Sequence, residues 1–493
     1  MAEPRIVEKQ DGTTGAERYL AQLCSRTFLS LWSYPGVYRD QGKQGSGDGK
    51  EICDLLVVFG NDVVIFSDKD CKFPTSGNLD IDWARWFRRA VLKSADQLWG
   101  AERWLRENPR RIFVDRRCSQ LLPVVLPDSA KMQVHLVVVA HGASRRCREL
   151  LGGSGSLVIF PDITGHNHIT GPAASLDSKD IYESWEKGLR DRPGYAKTVL
   201  PFAVGDLDPS RGFVDVFDDV GLDAVLQELD TAIDFVSYLR DREQFIRSGH
   251  LIMAPGEDDL LAHYLTVVDG YSWRSFPVPD DPAVKFIIRE GEWECLQKDS
   301  AWIDRKQADS VSYAWDRVIE KFNSCILDGT SAAYPFADFS TQELAVRAMA
   351  REPRFRRRLL ATALGDFLRN KRAGAIVARV VGPISEASPY YIFLAVRPDD
   401  NESFEHYRKK RMAIAGAYLT KVKQKFTDAK EVVLLATEMP GFSKWASEDL
   451  LYRGDEPPTA DEIELVRAFV EEQGILTNAE EGSMDIPSEY PNA

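Results

Sequence analysis

The chain lacks the features that announce membranes, disulfides and metal ribbons. No apolar run approaches the ~20 residues that a membrane helix needs, so no membrane partner is expected. The opening MAEPRIVEKQDG is polar and lacks the apolar centre of a signal peptide. Seven cysteines are scattered at 24, 53, 71, 118, 147, 295 and 325, with no Cys-x-x-Cys pair. This argues against a zinc ribbon or a disulfide framework and predicts reduced thiols in a cytoplasmic protein. No Gly-x-Ser-x-Gly is present to suggest acyl transfer. The stretch GKQGSGDGKE approaches a phosphate-binding Walker A loop and misses it twice, at Gln44 where glycine is required and at Glu51 where Ser or Thr must follow Lys50.

Positive charge is outnumbered, 62 Lys and Arg against 76 Asp and Glu. A formal net charge of −14 argues against a protein that coats nucleic acid by bulk charge, because phosphate binding draws on Lys and Arg. Two local basic stretches remain, REPRFRRRLLATALGDFLRNKR at 351–372 and RKKRMAIAGAYLTKVKQKF at 408–426. Each reads either as a phosphate-facing helix or as a solvated helix face. His166 and His168 would share one side of a strand, but no Cys or His stands nearby to complete a zinc site.

What is present is a globular composition, 44% hydrophobic and 10% aromatic, in 493 residues, enough for two or three domains. Thr14 and Glu17 form a capping box that opens the helix AERYLAQLCSRTFLSLW. SYPGVYRD reads as a short strand, and GKEICDLLVVFGNDVVIFSDKDCKF as a hairpin. In the next segment Trp83, Trp86, Phe87, Ala90, Leu98, Ala101 and Leu105 recur at helical spacing, with WARWF as core. RRIFVD and VHLVVVAHG read as two further buried strands.

The order predicts an α/β fold: an αβββαββ core over 1–145, an extension over 146–250 ending in a long helix, and a second α/β domain over 251–493. In the extension GFVDVFDD is strand-like and LDAVLQELDTAIDFVSYLRDREQFI reads as one helix. In the C-terminal domain GAIVARVVG, YYIFLAVR and EVVLLATE read as strands. Thr459 and Glu462 open a final helix stopping at Gly474, after which an acidic tail frays.

The hairpin carries the candidate chemistry. If Gly60-Asn61 is the turn, Asp54 falls opposite Ser67; if Asn61-Asp62 is the turn, Asp54 falls opposite Lys69. Side chains alternate along a strand, so Asp54, Ser67 and Lys69 share one side in either register. A carboxylate and an ammonium at the end of an apolar hairpin suit phosphodiester hydrolysis, and equally a salt bridge at the hairpin mouth. Glu51 reaches the same point if the strand starts with a bend. Asp68 faces away, and Asp70 with Lys72 falls on the opposite face unless a bulge intervenes.

These residues and the order of elements resemble the PD-(D/E)XK, or restriction-endonuclease-like, nucleases, most closely their Mrr-type and NERD-type branches. Glu17 matches the family's helix glutamate, Asp54 its aspartate and Lys69 its lysine. Ser67 stands where the family usually has Asp or Glu, a position some members fill with Gln or Ser. Gln97 matches the second-helix glutamine of RecB-like members, although Ala101 replaces the tyrosine that follows it there. The resemblance covers about the first quarter of the chain. It implies a Mg²⁺- or Mn²⁺-dependent nuclease acting on DNA or RNA, in prokaryotic defence, with Asp54 and Glu17 as metal ligands; Glu51 is the further acid that could repair the position Ser67 leaves open, and Glu17 reads equally as a capping-box residue alone. Lys69, Ser67 and Gln97 would complete the catalytic set. The alternative it leaves is a catalytically decayed nuclease fold serving as a nucleic-acid-binding or protein-interaction scaffold. A homo-oligomer is compatible with either.

Overall fold

A computed structural model of the chain describes residues 7–43, 45, 47–171, 199–266, 268–269, 273–331, 339–369, 374–385, 388–473, 475–476 and 486–491. The protein is α/β and divides into two compact units, Val7–Ile303 and one containing Asp304–Ala493. The boundaries expected at 145 and 250 both fall inside the first unit.

The first unit opens with helix α1 (Gly15–Thr27), started by the Thr14–Glu17 capping box. Strands β1 (Ser33–Arg39), β2 (Lys50–Phe59) and β3 (Asp62–Asp70) follow as an antiparallel meander. Helix α2 (Leu79–Phe87) then runs through a π-helical turn at Arg88–Leu92 into α3 (Lys93–Glu107). Trp83, Trp86 and Phe87 are buried within 1% of full burial, so WARWF is core. Each such side chain stabilises the fold by roughly 1.5–3 kcal/mol. Strand β4 (Gln133–His141) lies parallel to β3, and β5 (Val214–Phe217) parallel to β4, giving the sheet order β1-β2-β3-β4-β5.

RRIFVD is not a strand. Phe113 makes only isolated bridges to Tyr38 and Leu121. The chain turns directly afterwards, because the Asp115 carboxylate accepts the backbone N–H groups of Ser119 and Gln120. The fifth strand comes instead from GFVDVFDD. The expected single helix after it is two, α4 (Asp219–Glu228) and α5 (Ala232–Arg247), separated where the Thr231 hydroxyl caps the Asp234 N–H. His166 and His168 lie not on a strand but around a short helix, Asn167–Thr170. There His168 is buried, facing the Gly165 carbonyl through Nδ1 and accepting the Gly205 N–H at Nε2.

In the second unit α6 (Arg354–Arg369) precedes an antiparallel pair, β6 (Ile376–Val381) and β7 (Tyr390–Val396). Helix α7 (Phe404–Lys425) then leads to β8 (Val432–Glu438), parallel to β7, and β9 (Glu448–Arg453) closes the edge. The final helix, α8 (Ala460–Gln473), starts at the predicted Thr459–Glu462 box. Its expected stop at Gly474 and most of the acidic tail lie outside the described residues.

Most described arginines of the 351–372 stretch are buried, so it is not a solvated face; in 408–426 Arg411 and Lys423 are buried while Lys409 and Lys425 stay exposed. Arg356 and Arg357 are fully buried, and Arg354 and Arg357 both bind Asp316 at 2.7 Å. Arg411 is fully buried against Asp449 at 2.6 Å. A buried guanidinium needs an acid and carbonyls around it, and this unit supplies an acid internally to Arg354, Arg357 and Arg411, whereas Arg356 reaches the Gly382 carbonyl and keeps Nε and Nη1 without a partner among the described residues.

Candidate functional site

The hairpin adopts the first of its two registers. Phe59 pairs with Asp62 across Gly60–Asn61, and the ladder continues to Leu55 opposite Phe66, which sets Asp54 opposite Ser67. Gly60 has φ of 64°, the left-handed conformation such a turn requires.

Three groups converge on one oxygen of Asp54. The Asp68 backbone N–H donates to Oδ2 at 2.7 Å, the Ser67 hydroxyl donates at 3.3 Å, and Lys69 Nζ lies 3.6 Å away. Burial pushes the Asp54 carboxyl above its usual range; Lys69 and the Asp68 N–H pull it back, while Glu17 and Asp68 add to the rise. The Lys69 side chain keeps 31% exposure against 11% for Asp54, so the ammonium is the solvent-facing partner.

The bend that Glu51 needs is present. Val37 pairs with Cys53 but Tyr38 pairs with Glu51, so the β1–β2 ladder slips by one residue at Ile52. Glu51 then joins Asp54, Ser67, Lys69 and Gln97 in lining a cavity of about 400 Å³. Glu51 is exposed by area, yet the concave walls withdraw its carboxyl from water, and Asp54 and Glu17 repel it. Its pKa is pushed up to about 7 against the pull of Lys69 and Arg116. Gln97 arrives from α3, exposed and without a hydrogen bond among the described residues. The π turn that precedes α3 inserts an extra residue into the helical phase, a feature with no signal in the sequence.

Glu17 does not line the cavity. Its carboxylate accepts the N–H groups of Thr13 at 2.6 Å and Thr14 at 3.2 Å, completing the capping box, and only its charge acts on Asp54 and Glu51. Asp68 faces away as expected, and neither Asp70 nor Lys72 lines the cavity. Among the described residues no three His, Cys, Asp or Glu side chains group closely enough to hold a metal ion. The two carboxylates that do share the cavity, Asp54 and Glu51, fit a magnesium-like ion, which takes one or two carboxylates and fills its remaining positions with water and substrate phosphate. Their mutual repulsion is what a divalent cation would relieve.

Behind the site lies an arrangement the sequence did not reveal. His141, at the end of β4, is ion-paired to Asp68 at 3.0 Å through Nε2 and bonded to Asp219 through Nδ1. Burial lowers the imidazole pKa, but the two carboxylates outweigh it and push it up to about 10. Asp68 thus holds Asp54 with its backbone and His141 with its side chain, tying the cavity floor to the start of α4. No local motif marks this trio, whose members are separated by 73 and 78 residues; they meet only because β3, β4 and β5 pair side by side in parallel.

Comparison of the chain with protein-family models, with curated proteins and with solved structures finds no match. Among the described residues no helix is long and apolar enough to cross a membrane.

Proposed function

We propose that the chain is a metal-dependent nuclease that hydrolyses phosphodiester bonds at the Asp54–Lys69 cavity. The observation that carries this reading is the convergence of Asp54, Glu51, Lys69 and Gln97 on one cavity at the polar end of an apolar hairpin. The order helix, antiparallel strands, helix, parallel strand supports a restriction-endonuclease-like core. Asp54 and Glu51 would hold Mg²⁺ or Mn²⁺, which, when bound, makes a nucleophile of water at neutral pH and offsets charge on the phosphoryl oxygens. Lys69 orients the attacking water and stabilises charge developing on the phosphate. Ser67 and the Asp68 N–H hold Asp54 by Oδ2, which leaves Oδ1 for the metal ion. Water adds across the P–O bond, its oxygen to phosphorus and its proton to the departing oxygen.

Ser67 in place of an acid, together with the lack of a three-acid group among the described residues, favours a second reading, a nucleic-acid-binding scaffold on a decayed site. Calorimetry separates the two. Mn²⁺ binding that is lost in Asp54→Asn and weakened in Glu51→Gln supports the nuclease, and absence of Mn²⁺ binding supports the scaffold.

A further inference from the structure

We infer that Arg39, Lys50 and Lys93 form a grip for the phosphate backbone of a nucleic-acid strand lying across the cavity. The choice of ligand rests on the nuclease reading; the grip rests on its own geometry. All three residues line the same cavity as Asp54 and Lys69.

Arg39 stands directly opposite Lys50 across the β1–β2 ladder. Like charges in that position repel. Had the ladder kept the register of Val37 and Cys53, Arg39 would instead face Glu51 and form a cross-strand ion pair. The slip at Ile52 forfeits that pair and sets two cations side by side. Neither they nor Lys93 has a carboxylate or hydrogen-bond partner among the described residues.

Arg39 is also built in rather than free. Its guanidinium lies over the Trp104 ring at 5.0 Å, and Arg111, paired to Asp40, covers the same ring at 5.3 Å. Its Nε is buried and meets no acceptor. A buried donor left unsatisfied costs about 1–3 kcal/mol, and with almost no accessible surface this one lies out of a ligand's reach, so a phosphate would be met by the terminal guanidinium nitrogens. A guanidinium fixed on an aromatic shelf, with open donors and two ammonium neighbours, matches a phosphodiester oxyanion. Lys93 sits one helical turn before Gln97 on α3, so the cations flank the Asp54–Glu51 pair from the β1 edge and from the helix.

The test is binding of a short fluorescein-labelled oligonucleotide, as a single strand and as a duplex, followed by anisotropy in EDTA so that nothing is cut. Wild type is compared with Arg39→Gln, which keeps a planar group over Trp104, with Lys93→Ala, and with Lys72→Ala outside the cavity as a control. Melting curves verify that each variant is folded. Arg39→Gln and Lys93→Ala are expected to bind several-fold more weakly, each flattening the slope of log K against log salt by about 0.7–0.9, while Lys72→Ala changes neither. Unchanged affinity and slope in the two cavity variants overturns the grip, as does a wild type that binds neither probe. A grip that passes this test in a protein that never cuts with Mg²⁺ would remove the nuclease reading alone. Normal cutting with undiminished affinity in Arg39→Gln would remove the grip alone.

Discussion

Lys69 reaches Asp54 diagonally: Nζ lies 3.6 Å from Oδ2 although Ser67, not Lys69, stands opposite Asp54 in the ladder. A diagonal pair on one face is within reach only of a long side chain, and this one leaves the directly opposed position to a small hydroxyl. Putting a carboxylate there by Ser67→Asp places like charges face to face. In EDTA the variant is expected to lose about 1 kcal/mol of stability. With Mn²⁺ it should recover that loss and bind the ion more tightly than wild type. Thermal melting with and without Mn²⁺ measures both effects, and a variant equally unstable in either condition would count against a metal position.

His141 gives the fold a defined pH signature. Its pKa is raised from 6.5 to about 10, so the clamp's contribution is fully present below about pH 6.5 and is lost as pH rises through 10. His141→Gln is expected to cost about 3 kcal/mol at neutral pH, because it leaves the buried Asp68 carboxylate without its cation. Urea denaturation of both proteins should show the gap narrowing steadily above neutrality. A gap independent of pH would mean that the imidazole acts by packing alone.

The burial of Arg357 separates a structural role from phosphate binding for the 351–372 stretch. Arg357 is fully buried, bonded to Asp316 at 2.7 Å and to the Glu352 carbonyl at 2.8 Å. Arg357→Ala is expected to destabilise by about 3–5 kcal/mol, since Asp316 loses a buried partner. A phosphate-facing arginine would give the reverse in denaturation and oligonucleotide-binding assays, intact stability and weakened affinity.

The parts of the molecule that were legible in the sequence are those fixed by local chemistry. Thr14 with Glu17, and Thr459 with Glu462, announce their helices because a capping box satisfies orphan backbone groups within four residues. The hairpin and the shared side of Asp54, Ser67 and Lys69 follow from strand alternation and a glycine at the turn. What failed depended on partners far away. RRIFVD has the composition of a strand but meets no ladder. The run 222–246 has helical spacing throughout, yet Thr231 restarts it as a second helix. The arginines of 354–358 look like a surface because their acids, Asp309, Asp316 and Glu352, are invisible from the stretch itself or look like ordinary neighbours. Arg39 carries no signal in the sequence because its isolation comes from a one-residue slip that no periodicity records.

Whether the Asp54–Lys69 cavity cuts nucleic acid is decided by cleavage with wild type and Lys69→Met. Single- and double-stranded DNA and RNA are incubated with Mg²⁺, Mn²⁺ or EDTA. Wild type is expected to cut at least one substrate in a metal-dependent manner, with cutting abolished by EDTA and reduced at least about 100-fold in a folded Lys69→Met protein. Cutting that survives in Lys69→Met, or a wild type that binds nucleic acid and Mn²⁺ yet leaves every substrate intact, would contradict the nuclease reading.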